Sequence, residues 1–115
     1  MLEEIIKQIE DSHYWDARVK ALECNYFGDE VKLVFEDEER DIIYYFEKCY
    51  RIQIEHVFEY KKDIPSKMLK TAQIPYFMQD VELNEITKNN ENYMKFKINM
   101  YPIELNIVCK QFSIT

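Results

Sequence analysis

The stretch MKFKINMYPIELNIVCK, residues 94–110, decides the fold. Apolar and polar side chains alternate one by one on both sides of Tyr101-Pro102. This two-residue period is that of a β-strand with one buried face. Proline cannot donate a sheet hydrogen bond, so the dipeptide interrupts the pattern. The segment therefore predicts two strands, each with an apolar and a polar face.

The same alternation recurs along the rest of the chain. It indicates further strands at about residues 17–26, 31–36, 42–47, 52–56 and 81–86. A slip of phase near Leu22 is typical of a β-bulge, and a break near Cys49 separates 42–47 from 52–56. The single glycine, Gly28, favours a tight hairpin turn because glycine readily adopts a positive φ.

The N-terminal segment has a different period. Leu2, Ile5, Ile6 and Ile9 recur at the spacing of one helix face. The period changes near Trp15, so we expect this residue to be a buried anchor at the helix–sheet junction. The sequence predicts an α+β fold in a single domain, residues 1–115. A short N-terminal helix packs on a mostly antiparallel sheet of about six strands.

Net charge is −7 and unevenly distributed. Residues 1–57 hold fifteen Asp and Glu against seven Lys and Arg, or −8; residues 58–115 carry +1. An acidic surface repels nucleic acid and suits a basic protein partner. It also simply keeps a small protein soluble, and that alternative stays open. The lysines at 61, 62, 67 and 70 form a local basic patch that we interpret as a solvated loop.

The charge is most concentrated beside two tyrosines. Successive side chains of a strand point to opposite faces of the sheet. Only one of Tyr44 and Tyr45 can therefore face the core, and the other points outward beside the carboxylates. An outward tyrosine is an amphipathic anchor for a protein partner. We therefore predict a partner-binding surface composed of Glu36, Asp37, Glu38, Glu39, Asp41, Tyr44 and Tyr45.

The three cysteines, Cys24, Cys49 and Cys109, are widely spaced and odd in number. This pattern favours reduced, buried thiols in a reducing compartment over a disulfide framework. The N-terminus lacks the basic and apolar regions of a secretory signal, and no apolar run is long enough to span a membrane. We expect a cytoplasmic protein, and the oligomeric state is left open.

Catalytic and metal-binding patterns are sparse. His13 with Asp16, and His56 with Glu55, are the candidates for acid–base or metal chemistry, but two histidines fall short of a metal site. One glycine excludes a P-loop and a dinucleotide fingerprint. We predict no cofactor, no metal and no enzymatic activity. Two alternatives remain: a small-molecule domain with an aromatic-lined pocket, and an enzyme that uses His13, Asp16 and His56.

The chain resembles small bacterial immunity-type proteins, which protect a cell against a toxin. The resemblance lies in the short helix followed by His13–Val19, then Val31–Phe35, and a closing strand that ends at 107–112. It implies a stoichiometric inhibitor that is acidic where its toxin is basic. We therefore interpret the chain as an interaction module whose partner is a basic toxin domain.

Overall fold

The computed structural model describes residues 2–56 and 65–115. Helix α1 spans Leu2–Asp11. The strands are β1 (Val19–Asn25), β2 (Glu30–Glu36), β3 (Asp41–His56), β4 (Asp80–Lys88), β5 (Glu91–Met100) and β6 (Ile103–Ile114). Single 3-10 turns lie at Tyr26–Gly28, Ser66–Met68 and Thr71–Gln73.

All six strands belong to one antiparallel sheet in the order β1-β2-β3-β6-β5-β4. The α+β prediction is confirmed. Strands β3 and β6 form the centre, where most backbone groups have partners on both sides. The prediction that residues 1–115 form one domain stays a prediction.

The hairpin of β5 and β6 follows the alternation of residues 94–110. Phe96 pairs with Ile107 and Ile98 with Leu105, and all four side chains are fully buried. They join the apolar side chains of β2 and β3 in one core, which α1 and the segment before β4 cover. Among the described residues no polar or charged residue is buried in it.

The expected break near Cys49 is wrong, because β3 is one strand of 16 residues. Its register to β6 shifts between Cys49 and Arg51, and Lys48 adopts φ 52°. A bulge therefore bends a continuous strand, and the sequence pattern of a bulge resembles that of a strand end. The slip predicted near Leu22 corresponds to a register shift between Val19 and Ala21.

The prediction for Trp15 is also wrong. Trp15 is 50% exposed, whereas Tyr14 is only 4% exposed. The two rings stack at 4.4 Å, and the Tyr14 hydroxyl accepts a hydrogen bond from the Val81 backbone N–H at 3.3 Å. Tyr14 is thus the buried residue of the helix–sheet junction. His13 and Asp16 have positive φ values, so the backbone around Tyr14 and Trp15 is irregular. A sequence period therefore cannot show which of these two aromatic residues is buried.

The cysteines differ in burial, contrary to the expectation that all three are buried. Cys109 is buried, Cys49 is half-buried and Cys24 is exposed near the end of edge strand β1. All three are free thiols, and Cys49 lies directly opposite Cys109.

The connection between β3 and β4 is only partly described. Lys61 and Lys62 of the predicted basic patch lie outside the described residues, whereas Lys67 and Lys70 are exposed. In the described ranges no helix has the length and apolar character needed to cross a membrane.

Candidate partner-binding surface

The predicted acidic run forms the connection between β2 and β3, here called the acidic turn (Glu36–Asp41). Glu36 ends β2 and lies opposite Asp41, the first residue of β3. The Asp37 N–H donates to the Arg40 carbonyl at 3.1 Å and closes the turn. Asp37, Glu38 and Glu39 are exposed. The strands thus hold a group of carboxylates at one end of the β2–β3 hairpin.

One carboxylate of the acidic turn is already paired. Lys20 Nζ lies 3.1 Å from an Asp41 carboxylate oxygen, and both side chains are partly exposed. An exposed pair of this kind contributes little to stability. It leaves the other four carboxylates without an ion pair among the described residues.

The two tyrosines after the acidic turn have different environments. Tyr44 is fully buried, and its hydroxyl forms a 2.7 Å hydrogen bond with the Ser12 hydroxyl beyond the end of α1. Burial raises the pKa of Tyr44 above its ordinary value of 10.0. Tyr45 is half-buried on the opposite face, with Lys32 Nζ 6.0 Å from its ring centre. A partner can therefore reach Tyr45, while Tyr44 supports the surface from within.

Tyr45 belongs to a face of the β2–β3 hairpin that points away from the core, here called the outer face. Its side chains are half-buried or exposed, whereas the alternate residues are buried. The register places them in four facing pairs: Glu36 with Asp41, Val34 with Ile43, Lys32 with Tyr45, and Glu30 with Glu47. Two acidic pairs thus enclose an apolar pair and a Lys–Tyr pair along about 20 Å of strand.

The far end of the outer face has a feature that the sequence analysis missed. The turn between β1 and β2, here called the aromatic turn (Tyr26–Asp29), exposes 69% of Tyr26 and the whole of Phe27 (112%). Both residues have left-handed φ values, 53° and 59°, and Gly28 follows at 92°. The glycine predicted the turn, but nothing in a single sequence shows that an aromatic side chain projects from it.

An acidic cleft lies beside the aromatic turn. Its open volume is about 420 Å³, and its lining residues are Asp29, Glu30, Glu47, Lys48, Cys49, Tyr50 and Gln111. Glu30 and Glu47 face each other directly across β2 and β3. Like charges in that position destabilise a sheet. Three carboxylates and one ammonium line the cleft, so its charge favours a cation.

Tyr50 extends the exposed aromatic surface. It is 63% exposed and meets the Tyr93 ring edge-on at 5.0 Å. Lys110 Nζ lies 5.7 Å from the Tyr50 ring centre and 2.8 Å from a Glu91 carboxylate oxygen. The Lys110 hydrogen bond holds the pKa of Glu91 below its ordinary value. This network fixes the Tyr50 side of the cleft.

The candidate catalytic residues do not converge. His13 and Asp16 are exposed in the segment after α1, whereas His56 ends β3 with its ring 6.4 Å from Tyr76. Across residues 2–56 and 65–115 no group of His, Cys, Asp and Glu is arranged to hold a metal ion.

Another cavity, of about 410 Å³, lies beside β1 and the end of β3. Its lining is mostly aliphatic, with Tyr76 and His56 among residues such as Val19, Leu22 and Ile103. This cavity is not lined mainly by aromatic side chains, and the small-molecule alternative stays a prediction.

The comparison with family models agrees with the interpretation of the chain as an interaction module. A family model described as "Immunity protein PIM7" matches residues 1–115. No curated protein matches the chain. A crystal structure of an uncharacterized protein from Neisseria gonorrhoeae has a TM-score of 0.58 and 14% sequence identity. The match covers 88% of this chain and 91% of that one, and at this identity it shows the fold alone.

Proposed function

The chain belongs to the immunity protein family PIM7, and we propose that it neutralises a toxin domain with a basic surface by binding it through the outer face and the acidic turn. Membership in the family implies a toxin partner. The basic character of that partner and the surface that binds it are our proposal. We also propose a cytoplasmic setting, which three unpaired cysteines favour.

The observation that carries the proposal is the arrangement of the outer face. Val34, Ile43 and Tyr45 supply an apolar centre on one face of β2 and β3, and carboxylates lie at both ends of it. An apolar centre with a polar rim is the usual organisation of a protein interface. Few backbone rearrangements are needed, because the strands already hold these side chains in place.

The two parts of this surface contribute to binding in different ways. The apolar centre loses water on binding and slows dissociation. Exposed carboxylates of the acidic turn attract a basic protein over distances of about one Debye length, roughly 8 Å at physiological salt, and accelerate association. Neutralisation of the acidic turn is therefore expected to change the association rate more than the dissociation rate.

The test uses the product of the adjacent gene, which we propose is the toxin, with its toxin domain purified in an inactivated form. Association and dissociation rates are measured at about 50 mM and about 300 mM salt, which shortens the Debye length more than twofold. The variant carries Glu36→Gln, Asp37→Asn, Glu38→Gln and Glu39→Gln. We expect wild-type association to slow at high salt and the variant to associate slowly at both concentrations.

A matched control neutralises an equal number of carboxylates elsewhere. Glu3, Glu4, Glu82 and Glu85 are exposed on α1 and β4, away from the outer face. Their replacement by Gln removes the same amount of negative charge as the acidic-turn variant and should leave most of the salt dependence in place. An association rate that changes neither with salt nor with the four substitutions in the acidic turn would show that the interface lies elsewhere.

A further inference from the structure

The aromatic turn exposes two aromatic side chains to solvent that the fold does not need there. No part of the Phe27 side chain is buried by the described residues, and Tyr26 beside it is largely exposed. Both rings project beyond the end of the β1–β2 hairpin, next to the acidic cleft. A pair of exposed aromatic side chains at one turn is typical of a binding surface.

We propose that Phe27 is the apolar anchor of the complex with the toxin domain: its ring enters an apolar pocket of the partner, and Asp29, Glu30 and Glu47 pair with lysine or arginine side chains around that pocket. This inference rests on the proposed function and extends it to named contacts. It adds a second contact region about 20 Å along β2 from the acidic turn. Both regions fit within one interface of ordinary size, roughly 800 Å² per partner.

The backbone supports a role for the aromatic side chain itself. Left-handed φ values suit Gly and Asn, whereas a bulky side chain at such a position is an outlier. Tyr26 and Phe27 occupy two such positions in succession. A turn selected only for stability would carry Asn or Gly there. Strained residues of this kind cluster at functional sites, because function maintains them.

The carboxylates beside the aromatic turn favour a partner whose apolar pocket is surrounded by lysine or arginine side chains. Glu30 and Glu47 repel each other across the strands, and neither forms an ion pair among the described residues. Within the described part of the chain, Lys48 is the one cation that lines the cleft with them. A guanidinium or ammonium group from the partner would relieve the repulsion at the same time as it binds. Charge complementarity therefore selects a basic protein as the occupant.

The experiment measures the dissociation constant of the same inactivated toxin domain with three variants. Phe27→Asn removes the ring but keeps a residue that tolerates the left-handed backbone, so folding is preserved. Glu30→Gln with Glu47→Gln removes two cleft charges. Trp15→Ala is the control, since it removes a half-exposed ring after α1, at the far end of β1. Thermal melts check that each variant is folded.

We expect Phe27→Asn to weaken binding by at least about 30-fold, mainly through faster dissociation, which is the usual effect of losing a hot-spot aromatic residue. Glu30→Gln with Glu47→Gln should weaken it about tenfold, and Trp15→Ala should stay within about threefold of wild type.

Two different failures are distinguishable. Binding of Phe27→Asn within about threefold of wild type would overturn the anchor and leave the proposed function intact. A wild-type chain that does not bind the toxin domain would remove the proposed function and the anchor with it. Light scattering adds a third outcome: a wild-type dimer that Phe27→Asn dissociates would assign the ring to self-association and overturn the proposal.

Discussion

At the scale of single residues, the aromatic turn holds two aromatic side chains in a conformation that costs free energy. The cost of a left-handed conformation is about 1–2 kcal/mol for an ordinary residue and less for Asn. Ile52 approaches the position of a Cβ on Gly28 within 3.5 Å, so the turn is also packed against β3. Stability and binding are therefore expected to conflict at Phe27.

Phe27→Asn should raise the free energy of unfolding by about 1 kcal/mol, because the strain is relieved and no buried contact is lost. Urea denaturation measures the change. A lower stability of this variant would mean that the ring has a packing role in the free protein.

The neighbouring residues Tyr14 and Trp15 allow a second test at this scale. Tyr14→Ala should cost about 3–5 kcal/mol, since it removes a buried ring. Trp15→Ala should cost clearly less, because half of that ring is in water. Urea denaturation of both variants provides the comparison, and native tryptophan emission should lie near the solvent-exposed maximum. An equal or larger loss for Trp15→Ala would reverse the assignment of the anchor.

At the scale of elements, the β3–β6 pair determines how reactive the cysteines are. Cys109 faces Cys49 across the two central strands. The hydrogen bond with the Cys49 sulfur, together with burial, raises the pKa of the Cys109 thiol and keeps it protonated. Thiolates are the reactive form, and Cys109 is buried whereas Cys24 is exposed, so Cys109 should react much more slowly than Cys24.

In the native protein, a thiol reagent should modify Cys24 quickly and Cys109 only after unfolding. Mass spectrometry of labelled peptides identifies each site. The control is Cys24→Ser, which should abolish the fast phase. Fast native labelling of Cys109 would show that β3 and β6 separate readily.

The segment that follows α1 is linked to the sheet through Ser12 and Tyr44, and the burial of Tyr44 gives stability a pH dependence. The folded state holds Tyr44 neutral with a raised pKa, whereas an unfolded tyrosine ionises near the ordinary value of 10.0. Its contribution is therefore fully present below pH 10 and is lost as pH rises toward the folded pKa. The loss is at most about 1.4 kcal/mol per pH unit.

Tyr44→Phe should reduce the decrease in unfolding free energy between about pH 9 and about pH 11. Ser12→Ala is the matched control, because it removes the hydrogen bond but keeps the ionisable tyrosine, so the steep decrease should remain. Urea denaturation across this range gives the slopes. Identical slopes for Tyr44→Phe and wild type would exclude Tyr44 as the source.

The elements themselves were largely predictable, because strict alternation fixes strand faces over residues 31–36, 42–47 and 94–110. The union of 42–47 and 52–56 into one strand was not, since a bulge breaks the period without ending hydrogen bonding. The outward direction of one of Tyr44 and Tyr45 followed from alternation, but the choice between them depends on where α1 packs. Exposure of Phe27 was beyond prediction, because solvent exposure is a tertiary property.

At the scale of the whole molecule, charge and surface shape point to the same hairpin. The acidic turn and the acidic cleft lie at the two ends of β2, and an apolar centre lies between them on the outer face. The apolar core lies behind this hairpin, on the inner side of the sheet. The account requires that the toxin be inhibited by occupation of this face, with one molecule of the chain per toxin molecule.

The most direct measurement is growth of a bacterial host that produces, in active form, the product of the adjacent gene, which we propose is the toxin. Co-production of the wild-type chain should restore growth, and a complex with one-to-one stoichiometry should be isolated from these cells. The variant Phe27→Asn/Val34→Thr/Ile43→Thr removes apolar groups from this face without placing two like charges opposite each other, so it should be produced at the same level but fail to protect. Full protection by that variant, or no protection by the wild-type chain, would contradict the account.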